Sequence, residues 1–158
     1  MTKRPLPPGQ NVYGHWPVEH YGRIPTFKAD SWCLRVTGLT ASGQEVRIEL
    51  EELVAMPHVE VIGDLHCGRG WTTANIRWGG VQARHILDLH PPADDVTHVL
   101  AWAEHGYTAV LRLADLRHPD ALLADTLEGE TLPPERGFPL RLVVPHLYGY
   151  KGPKWLRG

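Results

Sequence analysis

Proline and glycine make up about a fifth of this 158-residue chain, fourteen of one and sixteen of the other. Proline lacks a backbone donor and glycine carries a high entropy cost in regular structure, so that density dictates short elements joined by many loops. The first thirty residues hold five of the prolines and show no sustained period, which predicts a loop wrapping the domain. Trp32, Leu34 and Val36 alternate with Cys33, Arg35 and Thr37 as in a half-buried strand, and Val46 to Leu50 alternates again, which predicts a hairpin across Ala41-Ser42-Gly43. Glu51 to Met56 reads as a short helix stopped by Pro57. Val59 to Leu65 is an apolar strand that delivers His66 and Cys67 at its end, with Gly68-Arg69-Gly70 as a loop and extended structure resuming over Ile76 to Trp78 before Gly79-Gly80. Further along come a helix over Ala83 to Leu89, strands over His98 to Ala103 and Tyr107 to Leu113, a helical turn over Ala114 to Arg117, and Leu122 to Leu127 pairing with Leu140 to Val144. Many short strands with brief helices, without long β-α alternation or a Gly-rich phosphate loop, predict an α+β fold with mixed or antiparallel sheet.

The length is that of one domain, with residues 1–15 expected as an N-terminal extension and 16–158 as the domain proper. A net charge of −2 gives no general pull toward nucleic acid or anionic membrane, so any anion site must be local. No apolar run approaches the roughly 18–20 residues of a membrane span. Met1 to Gln10 has the early cations Lys3 and Arg4, but then Pro5, Pro7, Pro8 and Gly9 instead of the apolar stretch of a signal peptide. Two cysteines do not make a disulfide framework, which makes a reducing cytoplasm the expected compartment.

Two regions offer chemistry. Cys67 stands at a strand end among glycines with Arg69 close by, and a nearby cation favours the thiolate that binds metal or attacks an electrophile. The other reading is a buried thiol packing as a small hydrophobe, and for Cys33, mid-strand between Trp32 and Leu34, that reading is preferred. A Cys33–Cys67 disulfide stays open, with nothing in its favour. Ten histidines invite zinc, but no pair has ligand spacing. A cysteine nucleophile with His66, His105 or His146 as base is a further, weaker option. The second region is the stretch from Pro133 to Gly158, where Arg136, Arg141, Lys151, Lys154 and Arg157 are interleaved with glycines and prolines and Glu135 is the only acid. Such a stretch forms either a phosphate pocket or a solvated basic edge, and Gly137, Gly149 and Gly152 favour the pocket because backbone can approach a ligand there.

Four segments, in order, carry a resemblance to a known family. They are His20-Tyr21-Gly22-Arg23-Ile24-Pro25 with Asp30 to Gly38; Asp64-Leu65-His66-Cys67; Gly106-Tyr107-Thr108 with Leu111-Arg112-Leu113; and Leu132 to Pro145 followed by Gly149 to Leu156. Together they resemble the molybdopterin-binding domain of the sulfite oxidase family, over roughly residues 16 to 157. The resemblance implies Mo-molybdopterin as cofactor, Cys67 as the protein's sulfur ligand to the metal, and Tyr107 beside it. It also implies Arg141, Gly152 and Lys154 as cofactor contacts, with Arg136, His20 and Tyr21 as further ones. Molybdenum's preference for soft sulfur donors fits that assignment.

Sulfite oxidases proper hold their anion with arginines at two places where this chain has Glu19 and Trp71. The pattern Cys67-x-x-x-Trp71-Thr72 is more similar to the bacterial branch that includes the methionine sulfoxide reductase catalytic subunit. The branch's twin-arginine signal and the dimerisation domain of the eukaryotic enzymes are not expected, and where relatives usually continue past Gly158 into a strand and tail, either a partner chain completing the fold or a minimal version of it is expected. The resemblance therefore implies two-electron, oxygen-atom-transfer chemistry on a small sulfoxide, N-oxide or related molecule. A haem or flavin redox partner and a homo-oligomer are left open. The alternative is a non-catalytic binding domain descended from the same fold.

Overall fold

The computed structural model describes residues 4–158; Met1, Thr2 and Lys3, at the start of the expected extension, lie outside the described residues. Its centre is a mixed sheet. Strands β1 (Asn11–Val12), β4 (His58–His66), β5 (Trp71–Gln82), β8 (Leu122–Leu127), β9 (Glu130–Thr131) and β10 (Arg141–Val143) belong to it. β5 is the hub. It pairs antiparallel with β4 and β8 and in parallel with β1, while β10 extends the sheet beyond β8. Two hairpins flank the sheet: β2 (Cys33–Val36) with β3 (Val46–Glu49), and β6 (His98–Trp102) with β7 (Thr108–Arg112). The helices α1 (Leu50–Ala55), α2 (Ala83–Leu89) and α3 (Leu113–Leu116) are each one or two turns. The fold is α+β, and among the described residues no helix is long and apolar enough to cross a membrane.

At the start of β8 and along β10 the sheet is buried on both faces, which explains the unbroken apolar run Ala121-Leu122-Leu123-Ala124. Leu123, Leu142 and Val81 face a core shared with the two hairpins, α1 and α2. Leu122, Ala124 and Val143 face a smaller core around Trp78. On β10 the alternation therefore puts Arg141 on the Trp78 side, its guanidinium 5.0 Å from the indole. A capping box starts α1, with the Glu49 backbone N–H donating to Glu52 Oε2 at 2.8 Å, and Pro57 follows its end.

One expected boundary differs. Gly79-Gly80 does not follow the end of an extended segment, because β5 runs through both glycines from Trp71 to Gln82. A side chain on Gly80 would collide with the Leu123 carbonyl, and one on Gly79 with the Thr126 hydroxyl, and the β5–β8 register shifts between them. The glycines let β8 approach and bend the strand. Within the expected N-terminal extension, Asn11 and Val12 form β1 of the central sheet.

Candidate active site

Cys67 opens the four-residue loop between β4 and β5, and the loop is tightly closed. The Cys67 N–H donates to Trp71 O at 2.8 Å and the Gly70 N–H donates back to Cys67 O at 3.0 Å, with Gly70 at φ +92°, where glycine is favoured. Pleating sends neighbouring side chains apart. Leu65 and Cys67 face a cavity of about 440 Å³, while His66 turns the other way and bonds Thr72 Oγ1 at 2.9 Å. Both cysteines are free thiols.

The charge around Cys67 differs from what the local sequence suggests. Its Sγ lies 3.9 Å from Glu19 Oε2, and Arg69 spends its charge on the same carboxylate at 3.3 Å. The cation two positions away in the loop is thus answered by an acid 50 residues away in sequence. Trp71 and Tyr107 also line the cavity. The Tyr107 hydroxyl donates to Tyr150 O at 2.6 Å, and burial, with Tyr150 adding, raises its pKa. Of the three histidines weighed as a base, none lines the cavity: His66 is bound to Thr72, His105 to Arg23 O at 2.6 Å, and His146 to Asp115 at 2.9 Å. Among the described residues no group of three His, Cys, Asp or Glu side chains is placed to hold a metal ion.

The basic stretch divides into two groups. Lys151 donates to Val110 O and Arg157 pairs with Glu104, so these two serve packing. Arg141 and Lys154 line the cavity, together with Gly152, His20 and Tyr21. Arg136 stands behind its wall, stacked on Trp16 at 3.8 Å and donating to the carbonyls of Trp16 and Pro17. It shapes the loop that carries Glu19 and His20. Gly152 is glycine of necessity: a Cβ there would strike the Leu142 carbonyl, and its own carbonyl faces an Arg141 N–H at 3.4 Å. Among the described residues no carboxylate forms an ion pair with Arg136, Arg141 or Lys154. Burial, helped by Arg136, pushes the Arg141 guanidinium down to about 10. Burial, then Arg141 and Arg136, pushes the Lys154 amine down to about 7.

The sequence model of the oxidoreductase molybdopterin binding domain matches residues 21–158. The chain belongs to that family. It is 40% identical over 154 residues to YuiH, an uncharacterized oxidoreductase of Bacillus subtilis, covering 97% of this chain and 77% of that one. It is 35% identical over 147 residues to MsrP, the protein-methionine-sulfoxide reductase catalytic subunit of Gluconobacter oxydans, covering 82% of this chain but only 46% of the relative. The fold matches that of the sulfane dehydrogenase SoxCD from Paracoccus pantotrophus with a TM-score of 0.77 at 21% identity, over 87% of this chain and 40% of that one.

The residues present fit a molybdopterin. A soft thiol lines the cavity together with cations that have no acid partner, and a phosphate would supply the missing charge. Two lining side chains, Arg141 through Nε and Trp71 through Nε1, have buried donors without partners. Sequence reasoning missed Trp16 and Trp155 as wall residues, although six tryptophans in one small domain were a usable signal.

The displaced Lys154 value makes a pH prediction. Between about 7 folded and the ordinary lysine value of 10.5, the unfolded chain holds a proton that the folded chain has released, so this group's contribution to stability rises with pH across that window. A bound anion favours the charged amine, so anion binding above pH 7 takes up a proton and weakens as pH rises. Sulfate, whose own charge is constant here, is expected to bind cofactor-free protein several-fold more weakly at roughly pH 9 than at pH 6. Calorimetric titration checks this: Lys154→Met should flatten the profile, and Arg141→Ala should weaken binding at every pH.

Proposed function

We propose that the protein is a molybdenum-dependent oxidoreductase with Cys67 as its metal ligand, reducing a neutral sulfoxide or N-oxide. Molybdenum held in a pterin dithiolene supplies a two-electron centre that can exchange an oxygen atom with substrate. The balance is one oxygen removed from substrate, two electrons drawn from a redox partner carrying haem or flavin, and two protons taken up to release water. In this reading Cys67 gives the metal its protein sulfur, Tyr107 flanks it, and Arg141 and Lys154 hold the cofactor's anionic end. Gly152 provides the close backbone approach, His20 and Tyr21 border the cofactor, and Arg136 supports their loop.

The observation that carries the substrate class is the Glu19–Arg69 pair beside the Cys67 thiol, with Trp71 in the same wall. A dianion entering there would lose its water and meet a carboxylate, whereas an uncharged oxygen donor escapes that repulsion and can lay its apolar part on an indole. The name of the Gluconobacter relative, a methionine-sulfoxide reductase subunit, supports sulfoxide as the centre reduced.

One molybdenum-loaded preparation, assayed both for sulfoxide and N-oxide reduction with a dye donor and for sulfite oxidation, tests the proposal. Reduction with weak or absent sulfite turnover is expected. Sulfite turnover with a micromolar Michaelis constant, at the low end of the usual range of about 1 μM–1 mM, overturns the substrate class. No turnover of either kind favours a binding domain.

A further inference from the structure

The family model begins its match at residue 21, yet the Cys67 loop is held from outside that span. β1 lies beside the start of β5, Asn11 opposite Trp71 and Val12 opposite Thr72, and the Asn11 N–H donates to Gly70 O at 3.0 Å. This places Gln10 behind the loop. Its Nε2 donates to Cys67 O at 2.9 Å, and its Oε1 accepts from the fully buried Thr72 hydroxyl at 2.9 Å.

The donor and acceptor roles in this network are all determined. Flipping the Gln10 amide would set its oxygen against the Cys67 carbonyl, two acceptors facing, so the carbonyl decides the amide's orientation. Thr72 must then give its single proton to Gln10 Oε1. The remaining contact, His66 Nδ1 to Thr72 Oγ1 at 2.9 Å, has its proton on the imidazole. Donor meets acceptor at each of these contacts, and the chain ends on the backbone of the cysteine that faces the cavity.

We propose that Gln10, braced by Thr72, is a positioning residue that sets the direction from which the Cys67 thiol enters the cavity. Within the turn the Cys67 carbonyl accepts from the Gly70 N–H. The Gln10 donor, 57 residues away in sequence, adds a second restraint on the Cys67–Gly68 peptide plane. With the Cys67 N–H bound to Trp71 O, that leaves the thiol little freedom beyond its own side-chain rotation. The clamp's purpose rests on the metal-binding role proposed for Cys67, but its existence is tested on the thiol alone.

The test is site-resolved alkylation of the full-length, cofactor-free chain by iodoacetamide, followed at Cys67 and Cys33 by mass spectrometry. Gln10→Glu keeps an acceptor for Thr72 but loses the donor to Cys67, Gln10→Leu loses both, Thr72→Val removes the brace and Thr72→Ser retains it. Loss of one such hydrogen bond corresponds to about a fivefold change in the rate at Cys67. That change is expected in the first three variants, with Cys33 within about twofold of wild type and Thr72→Ser like wild type. General loosening would move both cysteines together. An unchanged Cys67 rate in both Gln10 variants, or parallel changes at Cys33, overturns the clamp. Should Thr72→Val fail to fold, the Gln10 pair decides. If Cys67 shifts as expected while Cys67→Ser protein keeps normally ligated metal, the clamp stands and the ligand assignment falls.

Discussion

Cys67→Ser protein, purified from a host that makes the cofactor, is expected to contain roughly a tenth or less of the wild-type molybdenum. A serine oxygen is a harder donor than sulfur and, with a much less acidic proton, is rarely available as the anion that binds metal. Arg141 and Lys154 also line the cavity and are untouched by the change, so the pterin should be lost less completely than the metal. Any residual molybdenum should show one sulfur neighbour fewer by X-ray absorption. Cys33→Ser is the control. Cys33 sits in β2 opposite Glu49, away from the residues lining the cavity, and its loss should leave metal content unchanged. Full, sulfur-ligated molybdenum in the Cys67 variant would overturn the assignment.

Features set by neighbouring residues were legible in the sequence. The alternation from Trp32 to Leu50 located the β2–β3 hairpin, Pro57 stopped α1, and the apolar run before His66 placed Cys67 at a strand end. Each of these depends on residues a few positions apart. What was not legible depended on distant partners. Gly79-Gly80 looked like a boundary because nothing nearby shows that the Leu123 carbonyl needs the space of a side chain. Arg69 looked like the cation that would activate Cys67, because its partner Glu19 belongs to a loop far away in sequence. The five C-terminal cations looked equivalent, and only packing separates Arg141 and Lys154 on the cavity from Arg136 behind it and from Lys151 and Arg157 elsewhere. The family resemblance singled out His20, Tyr21 and Tyr107, which residue chemistry had passed over, and the structure lines one cavity with them and Cys67. Gln10 precedes the family match to residues 21–158, and the residue types of its clamp alone give no hint of it.

Glu19→Gln should convert the site toward anions. The carboxylate lies 3.9 Å from the Cys67 thiol and neutralises Arg69, which is itself largely exposed. Glutamine keeps the size and a hydrogen-bonding oxygen, removes one negative charge and leaves Arg69 without its acid partner. A unit charge at 4 Å is worth about 1 kcal/mol in water and about 4 kcal/mol at an effective dielectric of 20. The exposure of Arg69 argues for the lower part of that range. The Michaelis constant for sulfite is therefore expected to fall about tenfold, and the gain should shrink at high salt as screening shortens the reach of the charges. A neutral sulfoxide has no net charge to feel the change, so its kcat/KM should stay within roughly threefold of wild type. Steady-state kinetics with both substrates at two ionic strengths checks the prediction. An unchanged sulfite constant would remove Glu19 as the group that excludes anions. A fall in kcat shared equally by both substrates would instead place Glu19 in the chemical step, because charge selection acts on the anion alone.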